Sequence, residues 1–212
     1  ESHTVYNVLQ LLETFSGTPQ AVDALFVAIK TKDEELFVQY KSTVGTEGKM
    51  LSSIVATAKT ALSIFADPEV AEVTSDDTIA FEEYRNSKVI LYINNNVQDL
   101  KYYGAITAIF FEQFFRFIMH RLPQKEDLPV FFLVDEASSL YLQNLPVVIS
   151  NIRKYNSGLL FLYQSQHQLM DMYGISAARN IITNCFARIY FPNQPPEVCR
   201  ELEALGGRYE FT

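Results

Sequence analysis

The rhythm of hydrophobic and polar positions changes about a third of the way along the chain. Up to about residue 76, apolar residues return every three or four positions, the period of helices that bury one stripe. Thr18 and Pro19 open such a helix, because threonine accepts from the orphan N–H groups of a first turn and proline suits the first helical position. Val22, Leu25, Phe26 and Ile29 then fall on one face. A second helix is predicted over Asp33 to Tyr40. A third runs from Lys49 to Phe65, with Leu51, Ile54, Val55, Ala58, Leu62 and Phe65 along one stripe. Asp67-Pro68 should stop it, since the residue before proline disfavours the α region. No strand pattern occurs before about residue 78.

Beyond Ser75-Asp76-Asp77 short apolar runs alternate with longer periodic ones. KVILYINNN (88–96), LPVFFLVDE (128–136), SGLLFLYQS (157–165) and ARIYFP (187–192) read as four strands. Helices are predicted between them over 102–122, 145–156, 166–174 and 176–185, and after them over 195–207. Nearly all-apolar strands alternating with helices indicate a parallel sheet covered on both faces. The predicted architecture is therefore α/β, with an all-helical unit over residues 1–76 and the sheet-bearing unit over 77–212. No internal repeat or low-complexity segment is present.

Composition agrees with a packed globular chain: 48% of the 212 residues are hydrophobic and 20% charged. The net charge of −8 argues against a self-sufficient grip on nucleic acid, which clustered Lys and Arg would drive, so any DNA contact must be local or shared with other chains. The two cysteines, Cys185 and Cys199, have no metal-ligand spacing and are expected to be buried free thiols. No signal-peptide pattern is seen at Glu1. The most apolar stretch, 102–122, is interrupted by Glu112, Gln113 and Arg116, which makes it a core helix rather than a membrane span. The chain is expected to be soluble.

The strongest candidate for chemistry is Asp135-Glu136, which closes the strand Val130–Val134. Ligands of open α/β sheets sit beyond the carboxyl ends of the strands. Successive strand side chains point to opposite faces, so the two carboxylates should have different tasks. One can approach Mg²⁺, directly or through water, while the other polarises a water toward a γ-phosphate. The pair would equally serve as a cap on the helix or loop after the strand, helped by Ser138 and Ser139. Gln164 ends the next predicted strand, and its amide could sense a γ-phosphate or hold a water; it could also be an ordinary polar strand end. Arg153 and Lys154 fall at the opposite, amino-terminal rim. They are too far from their own Asp-Glu pair, but in a ring of subunits Arg153 could reach a neighbour's γ-phosphate; the alternative is a solvated helix end. His3, His120 and His167 do not cluster and are assigned no chemistry.

A magnesium-bound nucleotide also needs G-x-x-x-x-G-K-[ST], whose N–H groups cradle phosphate. TVGTEGKML is the nearest stretch. Thr43 stands where the first glycine is required, Met50 where the hydroxyl is required, and no strand precedes it. It reads as the start of a helix.

Several stretches together resemble the type IV secretion and conjugation coupling ATPases, the TraG/TraD-like group related to the FtsK/HerA motors. They are KMLSSIVATAKTALSIFADPEVAEVTS, KVILYINNN with the aromatic helix after it, FFLVDEASSL, YNSGLLFLYQSQHQLMDMYG and NIITNCFARIYFP. The match runs from about residue 45 onward and is weaker before it. The resemblance implies a partial RecA-like P-loop NTPase domain carrying the Walker B strand, with the all-alpha domain of the family in residues 1–76. It places the phosphate loop and the membrane anchor upstream, so that the chain is a fragment that also stops before the last strands of the motor. It implies Asp135 as the metal-linked acid, Glu136 as the catalytic carboxylate, Gln164 as the sensor and Arg153 as a finger in trans. The family often has Arg-Lys-Tyr-Gly where this chain has Arg-Lys-Tyr-Asn-Ser-Gly, which alters the register of that finger. The implied cofactors are ATP and Mg²⁺ in the intact protein, with none tightly bound by this piece. The implied partners are secretion-channel components, relaxase-bound DNA or protein substrates recognised through residues 1–76, and five further copies in a hexamer. The implied location is the cytoplasmic side of the bacterial inner membrane. The alternative function is a non-catalytic docking module.

Overall fold

The computed structural model describes residues 4–17, 19–44, 48–96 and 98–207. The predicted capping by Thr18 lies outside the described residues. Four helices come first: α1 (Val5–Gly17), α2 (Pro19–Ile29), α3 (Glu34–Val44) and α4 (Gly48–Leu62). α1 packs on α2 and α4, around Leu9, Val22, Tyr40, Val55 and Phe65. Phe26 stacks on Tyr40 at 4.0 Å between ring centres. The predicted stripes need two corrections. Leu25 and Ile54 face outward, while Val22 and Phe26 on α2 and Leu51, Val55 and Ala58 on α4 turn inward. The inward set follows a narrower i, i+4, i+7 seam than the full apolar list, because each helix packs along narrow lines against its neighbours rather than onto a broad core. Gly48-Lys49 does open a helix.

Asp67 both ends and begins a helix. A 3-10 turn over Ser63–Ala66 stops at it, and its extended backbone lets the carboxylate accept from the N–H groups of Glu69 and Val70, capping α5 (Pro68–Val73). The Tyr103 hydroxyl reaches Asp67 at 3.5 Å and Glu69 at 3.3 Å, joining this corner to the long helix α7 (Leu100–His120). Burial, and then the two carboxylates, push the Tyr103 phenol up to about 12.

The second part is built on α6 (Glu83–Asn86), α7, two strands, α8 (Leu145–Asn151), α9 (Gln166–Asn184) and α10 (Pro196–Gly206). β1 (Val130–Val134) and β2 (Ser157–Phe161) pair in parallel, Val130 opposite Ser157 and Val134 opposite Phe161. Val130, Phe132 and Val134 point into one core with Phe114, Phe115 and Ile118 of α7. Phe132 meets Phe114 and Phe115 edge-on at 5.0 and 4.9 Å, and Phe81 stacks on Phe114 at 4.6 Å. α9 breaks at Gly174, whose φ of 76° is a left-handed value that separates the two short helices the sequence predicts.

The sheet departs from expectation in two ways. Residues 88–96 and 187–192 form no strand among the described residues, with Tyr92 81% and Ile189 78% exposed. An apolar run records a preference for burial; a strand also needs a neighbouring strand to take its N–H and C=O groups, and among the described residues only β1 and β2 pair. The face of β1 away from α7 is also uncovered, with Phe131 68% and Leu133 69% exposed. Its flank lies close: a Cβ on Gly158 would stand 2.9 Å from the Phe131 ring.

At the amino ends of both strands sits a residue that the sequence pattern did not reveal. Arg85, only 4% exposed, donates from Nη1 to the carbonyls of Leu128 (3.1 Å) and Asn156 (3.4 Å) and from Nη2 to that of Tyr155 (2.6 Å). Its own carbonyl accepts from the N–H of Leu128 at 2.8 Å. Burial lowers its proton affinity, and Asp127 opposes that. One planar guanidinium thus anchors the approach to both strands, a task suited to its fixed fork of donors. Nearby, Asp127 accepts from Arg121 twice (2.6 and 3.1 Å) and from the Gln124 N–H (2.8 Å). These bonds hold its carboxyl down at about 2.

Arg85→Met should lower the unfolding free energy of the chain by roughly 3 kcal/mol in urea melts, because bonds from a charged donor are lost and buried carbonyls are left unpaired. Asp127 is depressed in the fold, so its contribution is complete above about pH 4 and is lost as pH falls toward about 2. Thermal midpoints of wild type and Asp127→Asn should therefore differ at pH 5 and converge across that window.

Candidate functional site

The site lies where the parallel ladder ends. The N–H of Leu162 donates to the Val134 carbonyl at 3.0 Å, one step past the last paired residue. In a regular parallel ladder the Glu136 N–H would next take the Leu162 carbonyl. Here the Ala137 N–H takes it, at 2.9 Å, so the first strand carries one residue more than its neighbour, as in a bulge. The displaced Glu136 N–H turns to the Asp135 carboxylate, Oδ1 at 2.9 Å. Glu136 itself adopts left-handed backbone, φ 48° and ψ 49°. For a residue with a side chain that conformation costs about 1–3 kcal/mol. The Glu136 carbonyl, accepting from the N–H and Oγ of Ser139 at 2.9 and 2.8 Å, helps to offset it.

The strand alternation expected to separate the two carboxylates applies only up to Val134. Past it, the turn and the partners set their roles. Glu136 accepts from the Ser138 hydroxyl at Oε1 (2.8 Å) and from Gln164 Nε2 at both oxygens (3.1 Å each). Asp135 has only the neighbouring peptide N–H among these contacts. The bond from Leu162 brings the end of the second strand alongside the first, so Gln164 reaches the same rim as Glu136, as its position in the sequence suggests. Gln168, which sequence reasoning did not single out, accepts from the Gln164 N–H at 3.1 Å and approaches its Oε1 from Nε2 at 3.5 Å. Its signal was the pattern Ser165-x-x-Gln168 at a helix start.

Packing beneath the rim fixes these turns. The Leu142 N–H donates to the Tyr173 hydroxyl at 3.0 Å, and Tyr173 stacks on Tyr141 at 5.1 Å. Burial pushes the Tyr173 phenol up to about 12 and that of Tyr163 higher still. Glu112 of α7 accepts from the N–H and side-chain amide of Asn144 at 2.9 and 2.8 Å, which holds the start of α8.

The family model described as type IV secretory system conjugative DNA transfer matches residues 3–209. The chain belongs to this family. Comparison with curated proteins gives no significant match.

Within this conjugative-transfer chain, the remaining candidates are scattered. Arg153 and Lys154 lie in a 3-10 turn (Ile152–Tyr155) just before β2, at the rim opposite Glu136, separated from it by five strand residues or roughly 15 Å. Both are exposed; Lys154 donates to Asn151, and the Arg153 guanidinium meets no carboxylate among the described residues. Asn156, left-handed at φ 50°, turns the chain into β2. His120 and His167 are exposed and far apart in sequence, and the described residues hold no group of three or more His, Cys, Asp or Glu fit for a metal. His3 lies outside the described residues. Both cysteines are free, but only Cys185 is partly buried, its thiol pushed up by that burial; Cys199 is exposed, on a helix that buries no residue. No described helix is long and apolar enough to cross a membrane.

Proposed function

We propose that the chain is the Walker B portion of a coupling ATPase, one that recruits DNA or protein substrates to a type IV secretion channel and couples ATP hydrolysis to their transfer. The observation that carries this reading is Glu136, held in a left-handed turn at the strand end with its carboxylate facing the Gln164 amide of the adjacent strand. A carboxylate fixed at that cost beyond a parallel strand suits a group that orients water, with Gln164 positioned to sense the γ-phosphate.

The residues present fit magnesium. Asp135 offers a hard oxygen donor with one oxygen tied to a peptide N–H and the other unengaged among the described residues, and Mg²⁺ is commonly held by one or two carboxylates together with water and substrate phosphates. Glu136, whose two oxygens already accept from Gln164, is the poorer ligand and is left to orient a water. When bound at Asp135, the metal would supply positive charge to neutralise phosphate oxygens. Phosphate cradling falls to a glycine-rich loop of the G-x-x-x-x-G-K-[ST] kind, which on this reading another segment supplies. The bare face of β1 and the exposed apolar segments at 88–96 and 187–192 support this, since parallel strands are ordinarily covered on both faces. Arg153, unable to reach its own Glu136, would serve a neighbouring copy as the finger of a hexameric ring. The membrane anchor, on this reading, lies on other parts of the polypeptide and holds the motor at the cytoplasmic side of the inner membrane.

A second reading concerns the isolated piece. Val8, Val27, Val38 and Met50 are exposed on the helices of residues 1–76, which supports a docking surface for relaxase-bound DNA or protein substrates. Purified 1–212 should then neither bind ATP tightly nor hydrolyse it; Mg-dependent turnover by this chain would contradict the division of labour. In the intact polypeptide, Glu136→Gln should retain nucleotide binding and lose turnover by on the order of 10²-fold or more, measured as steady-state phosphate release. A wild-type rate in that variant would remove Glu136 from the chemistry.

A further inference from the structure

We infer that Gln168 is a positioning residue that holds the Gln164 side chain from its far end, keeping the amide NH₂ group in place on Glu136. The inference rests on the ATPase reading for its consequence in catalysis, but the geometry that supports it is independent of that reading.

An ionised carboxylate can only accept. Gln164 must therefore present Nε2 to Glu136, as it does at 3.1 Å to both oxygens. Its Oε1 then points away and requires a donor, and Gln168 Nε2 approaches it at 3.5 Å. That choice leaves Gln168 Oε1 as an acceptor, and the Gln164 N–H donates to it at 3.1 Å. Each bond dictates the direction of the next, from the carboxylate outward. Glu136 thus fixes which end of the amide faces the rim, and Gln168 holds the other end, so that the side chain keeps its place when a phosphate competes for the NH₂ group.

The simpler role for Gln168 is helix capping. Ser165 is the N-cap of α9, its Oγ accepts from the Gln168 N–H at 3.3 Å, and a glutamine three residues after a serine is the capping-box pattern. In a closed capping box, however, the glutamine side chain returns to the N–H of the cap residue, which would be Ser165. Here it reaches one residue further, to Gln164, and contacts both its backbone and its side chain. A cap does not need the second contact.

Gln168→Glu separates the two roles. Glutamate is the other standard residue of a capping box and still accepts from the Gln164 N–H, but it cannot donate to Gln164 Oε1. In ¹⁵N-labelled 1–212, Gln168→Glu should keep the Gln164 backbone amide signal near its place and move the Gln164 side-chain NH₂ signals, while Gln168→Ala should move both. Unchanged side-chain signals in both variants would overturn the inference whatever the protein hydrolyses. In the intact polypeptide, Gln168→Glu should lower kcat on the order of tenfold with KM for ATP unchanged, because a misdirected amide disturbs positioning rather than affinity. Glu136→Gln measured beside it keeps the two claims apart. Loss of turnover in Glu136→Gln with a wild-type kcat in Gln168→Glu would reject the role of Gln168 alone. Wild-type turnover in Glu136→Gln would remove Glu136 from the chemistry and leave the amide signals to decide the positioning.

Discussion

The parallel pairing of β1 with β2 is the constraint on which the second part of this protein depends. Two parallel strands of five residues make a marginal sheet in isolation. They hold because both ends are fixed by something other than the ladder. At the amino ends, Arg85 gathers the carbonyls of Leu128, Tyr155 and Asn156 onto one guanidinium. At the carboxyl ends, Leu162 bonds across to Val134 and Ala137. Between them, the ring of Phe132 wedges against Phe114 and Phe115. A slip of one residue would turn Phe132 out and Phe131 in, and would remove Gln164 from the reach of Glu136.

The extra residue at the end of β1 turns this pairing into a site. Had Glu136 followed the ladder, its N–H would have been spent on Leu162 and its backbone would have stayed extended. Because Ala137 makes that bond instead, Glu136 adopts the left-handed turn and its carboxylate comes to the Gln164 amide. Asp135, tied to the N–H this displacement frees, retains one oxygen unengaged among the described residues. The different environments of the two neighbouring acids thus arise from a single hydrogen bond made one residue late.

The parts of the fold legible in the sequence were those fixed by local chemistry. Helix periodicity located α2 to α4 and α7, Pro196 and Gly207 bracketed α10, and Gly174 divided α9. The pair Asp135-Glu136 and the amide of Gln164 were legible because an apolar run ending in polar residues marks a strand end. Other features depend on partners distant in sequence. KVILYINNN and ARIYFP have strand composition, but pairing is a property of a neighbour and cannot be read from the segment. Arg85 resembles any surface arginine in a short polar helix; its burial comes from carbonyls 43 and 70 residues away. The bulge at Glu136 was hidden because Asp-Glu would look the same at the end of a regular ladder, which is why strand alternation failed there.

The exposed apolar surface and the incomplete nucleotide site have one explanation on the coupling-ATPase reading. Phe131 and Leu133 face outward from the strand whose end carries the two acids, so whatever covers that face lies beside the site. A glycine-rich loop leading from a further strand into a covering helix would supply burial for these side chains and phosphate-binding N–H groups by the same act of packing. Nucleotide affinity and sheet stability would then be linked: contacts that bury Phe131 and Leu133 would also set the distance between the phosphates and Glu136. The site would be assembled by folding rather than added to a finished domain, and a change on the bare face of β1 would be felt at the carboxylate through one short strand.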